Sequence, residues 1–417
     1  MHLAVAGAGF VGLATATGFA RQGYHVVLFD IDREKLACLR AGTLPFAESS
    51  LEGAFCDVLG ETLEVDEGPL DGRVRPAGFD FDFVFNCVGT PPRPDGTLDL
   101  TAVREVVTAA ITVTGGRAVV VNRSTVPPGT AAAIESELRE SHPTASVVAN
   151  PEFLREGSAL YDFDWPARRV IGGSSGEVVE AVRNLYSFSD APIVTTDATS
   201  AELIKVGANA ALAVRVSMAN EIADVAGALG VDAETVLSGI GADPRIGHDY
   251  LSPGIGFGGM CLPKDLDAYR AAGRAVEART HVFDGAAETN NAAPGRLADR
   301  VIERMNGAEA RVCVVGLGFK RGSDQTRGSR AMLLVEALLE RRVPVSVYDP
   351  LAERHARQVL GDRVQYLPTL TPLPDGHRVV VFTQGPDESA CAAFPEHVVA
   401  IDGTGQEIAR RERSVLG

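Results

Sequence analysis

The chain has 417 residues, enough for two or three domains with real cores, and its 45% apolar content with 44 glycines suits a globular protein rich in tight turns. A formal charge of -16 argues against nucleic acid as a partner, because backbone binding needs clustered Lys and Arg to displace counterions. An anionic small molecule stays open, since local basic residues oppose the global sign.

The opening residues, MHLAVAGAGF, read as a buried strand and its turn rather than a signal peptide. Leu3–Ala6 is the strand, Gly7, Gly9 and Gly12 the turn, and a helix runs on through Arg21. A second strand, Val26–Phe29, ends at Asp30. Phe83–Cys87, Ala118–Val121 and Val147–Ala149 are short apolar runs followed by the loops VGTPP, STVPPGT and NPEF. Short strands separated by helical patterns describe a doubly wound sheet.

From Ser200 the apolar spacing turns helical, with no strong break before Gly227 and with Gly207 as its weak point. Such a helix is about 40 Å long at roughly 1.5 Å per residue and suits a spine or an oligomer surface. Glycines dominate 239–259, and helical texture returns through about residue 305. RVCVVGLGFK (311–320) and VPVSVYDP (343–350) then repeat the opening logic, with Val379–Phe382 and Val398–Ile401 as further strands. The expected architecture is α/β: two Rossmann-like domains joined by a long central helix and a helical middle domain. The boundaries fall near 195 and 308, giving 1–195, 196–308 and 309–417, and the tail RERSVLG is expected to fray. No apolar run reaches transmembrane length, so no membrane partner is expected.

Six cysteines, Cys38, Cys56, Cys87, Cys261, Cys313 and Cys391, are scattered with no CxxC pair. That argues against a zinc site or a disulfide framework and for a reducing compartment, the cytoplasm. Cys261 stands apart: it follows the glycine loop PGIGFGG and precedes a helix with Pro263 in its first turn, near Lys264 and Asp265. A helix N-terminus lowers a thiol pKa and makes a nucleophile. The other five are taken as small buried hydrophobes.

Gly7, Gly9 and Gly12 form G-x-G-x-x-G between a strand and a helix, the pattern that seats a dinucleotide pyrophosphate on a helix N-terminus. Asp30 is placed for a ribose diol and against a 2′-phosphate, which favours NAD over NADP; Arg33 nearby softens that preference if it turns inward. The second turn, Gly316 and Gly318, lacks the third glycine and reads as a turn without a dinucleotide. Glu152 and Glu156 are four apart and share a face if the chain is helical from Pro151. Lys205 and Asn209 have the same spacing on the long helix, and both a solvated and a buried reading of Lys205 stay open.

GAGFVG, LPFAESSLE, CVGTPP, STVPPGT, NPEFLREG, TSAELIKVGANA, RIGHDYLSPGIGFGGMCLPKD and GLGFKRGSDQTRGSRA occur in one order over nearly the whole chain. Together they resemble the UDP-glucose, GDP-mannose and UDP-N-acetyl-sugar 6-dehydrogenases. The resemblance implies a four-electron oxidation of the C6 alcohol of a nucleotide sugar with NAD as the oxidant. Its intermediates are a thiohemiacetal and a thioester on Cys261, and hydrolysis releases the uronate. It makes Asp265 and Thr125 organisers of water and proton transfer, and Lys205 and Asn209 stabilisers of the C6 oxyanion. Glu152 assists proton transfer or hydrolysis, and Glu156 shapes the site.

For the cofactor the resemblance implies Gly7, Gly9, Phe10, Val11, Gly12, Asp30, Lys35, Thr90, Thr125, Glu156 and Arg327. For the sugar nucleotide it implies Glu152, Phe153, Leu154, Lys205, Asn209, Arg245, Tyr250, Phe257, Gly258 and Lys320. It also makes 1–195 the NAD-binding domain, 196–308 the dimerisation segment with the cysteine loop, and 309–417 the nucleotide-sugar domain. A homodimer through the central helix is implied too, with Arg245 serving its own subunit or its neighbour.

Two departures stand out. GGMC replaces the family's GGSC, putting Met260 beside the nucleophile, and TRGSR replaces TRESP, bringing in Gly328 and Arg330. UDP-glucose is the favoured substrate; GDP-mannose, a UDP-N-acetylhexosamine or a dTDP-sugar are the alternatives. A two-electron hydroxy-acid dehydrogenase needs no such cysteine. A catalytically silent nucleotide-binding homologue is disfavoured by Lys205, Asn209, Cys261 and Asp265 occurring together.

Overall fold

The computed structural model describes residues 1–46, 48–68, 81–305, 310–385 and 387–408. The tail expected to fray, 411–417, lies outside them. The chain divides into two compact units, Met1–Ala208 with Asp267–Val276, and Asn209–Leu266 with the residues from Glu277 onward. Each is built on its own sheet.

The first unit holds strands β1 (His2–Ala6), β2 (His25–Asp30), β3 (Leu63–Glu67), β4 (Phe83–Asn86), β5 (Val119–Asn122), β6 (Ser146–Ala149), β7 (Arg169–Gly172) and β8 (Ile193–Thr196). They lie in the order 3-2-1-4-5-6-7-8. All neighbours run parallel except β6 and β7, which meet antiparallel at Ala149 and Gly172. Side chains alternate along β1: Leu3 and Val5 join one core with Leu13 and Phe19, while Ala4 and Ala6 join another with Val27, Val84 and Val103. Burial on both faces is why these strands read as continuous apolar runs. Strand order reverses between β1 and β4, and a crevice opens there at the carboxyl ends of the strands, where ligands bind such sheets.

The long helix spans Ala198–Leu229, 32 residues, starting two earlier than expected. Asp197 explains the start, because its carboxylate accepts the Ser200 amide at 2.8 Å. Gly230, at φ +70, ends the helix. There the Val231 amide reaches the Ala226 carbonyl and the Gly230 amide reaches that of Gly227, a Schellman cap. Residues up to Ala208 belong to the first unit and the rest to the second.

In the second unit a helix at Ala233–Gly241 overlaps the start of the glycine-rich stretch; Asp232 caps it by accepting from Thr235 at 2.8 Å. Helix His281–Met305 comes next, then strands β9 (Arg311–Val315), β10 (Val345–Tyr348), β11 (Gln365–Tyr366), β12 (His377–Phe382) and β13 (Val399–Asp402). These form an all-parallel sheet ordered 11-10-9-12-13. Val312 and Val314 face Leu297, Val301, Leu334 and Leu338, while Cys313 faces Phe382 and Phe394.

The cysteines correct one expectation. Cys87, Cys313 and Cys391 are buried, but Cys38 and Cys56 are exposed. Cys38 sits on helix Arg33–Arg40, which turns Leu36 and Leu39 to the core and so leaves the Cys38 face to water. Burial pushes the Cys87 and Cys313 thiols up to about 12, so they carry no thiolate near neutrality. Among the described residues no helix is long and apolar enough to cross a membrane, and no group of three or more His, Cys, Asp or Glu is placed to hold a metal.

Candidate active site

In the first unit the glycine turn leaves β1 at the reversal point. Gly7 has φ +97, and a Cβ at Gly12 would stand 1.7 Å from the Gly7 carbonyl oxygen, so helix Phe10–Arg21 packs onto the turn only because Gly12 has none. A cavity of about 500 Å³ opens here, lined by Gly7, Gly9, Asp30, Lys35, Val88 and Gly89 among others. Asp30 accepts the Ala8 amide at 2.7 Å and Lys35 Nζ at 2.9 Å. Burial works to raise its pKa, but Lys35 and two backbone amides, those of Asp32 and Ala8, outweigh it and hold the carboxyl below the ordinary value. Arg33 turns outward to Glu67 at 2.6 Å on the surface. An open glycine turn, a helix N-terminus and an ionised carboxylate at the end of β2 fit NAD.

Further along the crevice edge, Lys205 and Glu152 form a buried ion pair, Nζ to Oε1 at 3.0 Å, with side chains 5% and 10% exposed. The other Glu152 oxygen accepts the Leu154 amide at 2.7 Å. Burial opposes ionisation of Glu152; Lys205, that amide and the charge of Arg123 overcome it and keep the pKa low. Lys205 Nζ also lies 5.4 Å from the centre of the Phe153 ring, and Arg168 stacks on that ring at 3.8 Å. Thr90 donates to the Thr125 carbonyl at 2.8 Å, tying the loops after β4 and β5 together.

The segment 150–157 is not helical, so Glu152 and Glu156 do not share a helix face; Glu152 is buried and Glu156 exposed. Side-chain acceptors explain this, because Glu152 takes the Leu154 amide and Asp162 takes the Arg155 amide at 2.9 Å. The helix begins only at Ala159.

Sequence reasoning missed Glu202. Its carboxylate accepts the amides of Gly129, Thr130 and Ala131 at 2.6, 3.1 and 2.8 Å, anchoring the end of the Thr125 loop to the helix that carries Lys205. Burial pushes Glu202 up to about 7 against the pull of those three donors. Its signal was a carboxylate one turn before Lys205. Arg123 was missed too; it is buried and donates to Asn150 and to Tyr186, both at 2.9 Å. A basic residue at the end of the apolar run VVVN was the trace it left.

In the second unit Cys261 is exposed and directly precedes helix Leu262–Ala275, its carbonyl accepting the Asp265 amide at 2.8 Å. Asp265 is 1% exposed, and its two oxygens are held separately by Asn209 Nδ2 and Lys264 Nζ, each at 2.6 Å. The glycine loop before Cys261 is pinned from below. Asn290 accepts the Phe257 amide at 2.8 Å and donates to its carbonyl at 3.1 Å. The Gly259 amide donates to Gly328, and a Cβ at Gly328, where φ is +70, would stand 2.7 Å from the Gly259 oxygen. The sequence departure at Gly328 is thus what this close backbone contact requires.

Phe257 is buried, whereas Tyr250 and Met260 are 41% and 45% exposed. Arg245 is exposed and pairs with Asp243 at 2.6 Å. Lys320 lies 5.5 Å from the Phe319 ring centre, and Arg327 is exposed. At the second glycine turn Asp349 accepts the amides of Leu317 and Gly318 at 2.6 and 3.1 Å, so the donors that would meet a phosphate are taken.

Comparisons with known proteins agree over most of the chain. The UDP-glucose/GDP-mannose dehydrogenase family models match residues 1–190 (NAD binding domain), 199–292 (central domain) and 313–403 (UDP binding domain). UDP-glucose 6-dehydrogenase TuaD of Bacillus subtilis is 34% identical over 391 residues, covering 92% of this chain and 84% of that protein. A UDP-glucose dehydrogenase structure from Pyrobaculum islandicum superposes with a TM-score of 0.88 at 35% identity, covering 96% of this chain and 94% of that one. A UDP-D-ManNAc dehydrogenase from Pyrococcus horikoshii gives 0.84 at 27% identity, covering 97% and 95%. The chain belongs to the UDP-glucose/GDP-mannose dehydrogenase family and is an NAD-dependent nucleotide-sugar dehydrogenase.

Proposed function

We propose that the protein oxidises the C6 alcohol of UDP-glucose to the carboxylate in two successive steps, through a covalent intermediate on Cys261. The observation that carries this reading is Cys261 itself, exposed at a helix N-terminus with the buried Asp265, held by the half-buried Asn209 and Lys264, one turn on. NAD, held by Gly7, Gly9, Gly12 and Asp30, supplies the hydride acceptor. The substrate assignment rests on the UDP-glucose names of relatives about one-third identical.

The chain's own groups divide the work. Lys205 places a desolvated positive charge where negative charge develops on the C6 oxygen, and the Asn209 amide adds a donor. Loss of the first hydride to the nicotinamide acceptor and of the C6 hydroxyl proton to a basic group leaves an aldehyde. The Cys261 thiolate adds to its carbon, and the oxygen takes a proton to give a thiohemiacetal. That adduct is again an alcohol and a hydride donor, which a free aldehyde is not. Losing its hydride and hydroxyl proton yields a thioester; water then adds, and the thiolate leaves with the uronate formed. Glu152, held ionised, and Asp265 with Thr125 handle the protons of water and thiol.

The three segments 1–195, 196–308 and 309–417 serve in this reading as cofactor, central and nucleotide-sugar parts, in the cytoplasm. A second copy of the chain covers the exposed apolar groove formed by Met218, Ile222, Val225, Leu229 and Val231. Sedimentation that finds a monomer at micromolar concentration would remove the dimer from this reading.

The test is the NADH formed per nucleotide sugar consumed, for UDP-glucose, GDP-mannose, UDP-N-acetylglucosamine, UDP-N-acetylmannosamine and dTDP-glucose. Two NADH and a uronate from UDP-glucose support the proposal. Two from another sugar move the substrate but keep the chemistry. One NADH with accumulated aldehyde, or a Cys261→Ala variant that still makes uronate, overturns the covalent route.

A further inference from the structure

The chemistry proposed above makes no use of Arg330, yet this residue sits in costly surroundings. It is the first residue of helix Arg330–Glu340, where the positive end of the helix dipole disfavours a cation. It is only 9% exposed. Among the described residues no carboxylate pairs with it: one guanidinium nitrogen, Nη2, donates to the Asn290 carbonyl, and Nε is buried without an acceptor. Burial pushes its pKa down to about 10, which still leaves it charged at neutrality. A buried charge without a counter-charge is strongly unfavourable, and an apolar side chain of similar length would fill the same space without that cost.

Its direction is informative. The side chain runs beneath the glycine loop that leads to Cys261: a Cβ at Gly258 would lie 3.3 Å from its Cγ, and one at Gly256 would lie 3.4 Å from its Nε. Its acceptor residue, Asn290, is the one that pins Phe257 in that loop. The unpaired cation therefore lies under the loop, on the same helix-to-helix strut that fixes it.

We propose that Arg330 is a diphosphate-binding residue, whose guanidinium gains its missing ion pair from a phosphate oxygen of the nucleotide bound at the 254–260 loop. This rests on the nucleotide-sugar reading for the source of that diphosphate; NAD is the other diphosphate in the reaction. A guanidinium suits the role because it stays charged when buried and forms directional pairs with phosphate oxygens.

The experiment compares the full-length wild type with Arg330→Met and Arg330→Lys by thermal melting. Inorganic pyrophosphate, UDP and NAD are titrated separately. Without ligand, Arg330→Met is expected to melt at or above the wild-type temperature, because an unpaired buried charge has been replaced by an apolar chain. Pyrophosphate and UDP stabilise the wild type, and their apparent affinity falls roughly tenfold or more in Arg330→Met and recovers in part in Arg330→Lys. Loss confined to NAD assigns the ion pair to the dinucleotide instead and overturns the assignment to the 254–260 loop. Equal affinities in wild type and Arg330→Met, no stabilisation of the wild type by any probe, or a ligand-free Arg330→Met that melts well below wild type each overturn the proposal and leave Arg330 as a strut. The readout is binding, so it separates from turnover. Arg330-dependent pyrophosphate binding in a protein that oxidises no nucleotide sugar removes the functional reading alone, and an active enzyme with Arg330-independent binding removes this inference alone.

Discussion

The turn after β1 and the turn after β9 begin alike. Gly7 and Gly316 have φ of +97 and +87, the next strand in each case ends in or is succeeded by an aspartate, and each aspartate bonds back to the turn. The two part within a few residues. After Gly9 the helix starts at once, at Phe10, so its first amides face the crevice. After Gly318 the chain folds back on Ser323, whose oxygen would lie 2.4 Å from a Cβ at Gly318, and the helix waits until Arg330. Asp30 takes two amides, one in the turn (Ala8) and one after its own strand (Asp32), whereas Asp349 takes four, two in the turn (Leu317 and Gly318) and two after its own strand (Leu351 and Ala352). Dinucleotide binding therefore depends less on the glycine turn than on whether a helix N-terminus comes directly after it with its donors unused.

The sharpest way to break this comparison is Gly12→Val. Its Cβ has no room beside Gly7, and NAD affinity is expected to fall roughly 100-fold or more in a fluorescence titration. Gly318→Ala should leave NAD affinity within about twofold while lowering the melting temperature; an equal loss of affinity in both variants would show the turns to be equivalent. Asp349→Ala comes next. It removes the acceptor of four amides at a site 9% exposed, and urea unfolding should show a loss of about 2–4 kcal/mol with NAD binding intact. Asp30→Ala should do the opposite, costing roughly tenfold in NAD affinity and narrowing the preference over NADP, with a small change in unfolding.

The smallest effect is acid sensitivity. The folded Asp30 pKa lies below its ordinary 3.8, so the stability it contributes is complete above that value and is lost as the pH falls through the lower folded pKa. Melting curves of wild type and Asp30→Asn should keep a constant offset above pH 3.8 and converge only below it. Convergence at higher pH would mean that Lys35 and the two amides do not hold the carboxyl ionised.

Several features were legible from local pattern. The strands around Leu3, Val26, Phe83, Val120 and Val147 lie within one or two residues of their expected positions, because burial on both faces writes itself as an apolar run. The place of Cys261, exposed and just before a helix, was legible from local signals too: a glycine loop, a proline in a first turn and a nearby acid. Glu152 and Glu156 misled because their spacing of four is a helical signature only where the chain is helical, and side-chain carboxylates took the amides there. Glu202, Asp349 and Arg330 left little trace, since each role depends on partners 31 to 73 residues away or on the lack of one.

Order along the chain was sufficient for the doubly wound sheets, the 32-residue helix, the NAD turn and the cysteine loop, because propensity and periodicity act over a few residues. Long-range packing alone decided that Lys205 is a buried partner of Glu152, 53 residues away, rather than a solvated lysine. It also decided that the second glycine turn is closed by its own aspartate and that Arg330 lies charged beneath the cysteine loop. Burial and charge compensation are properties of what surrounds a side chain, and that is set by the folded chain, not by its neighbours in sequence.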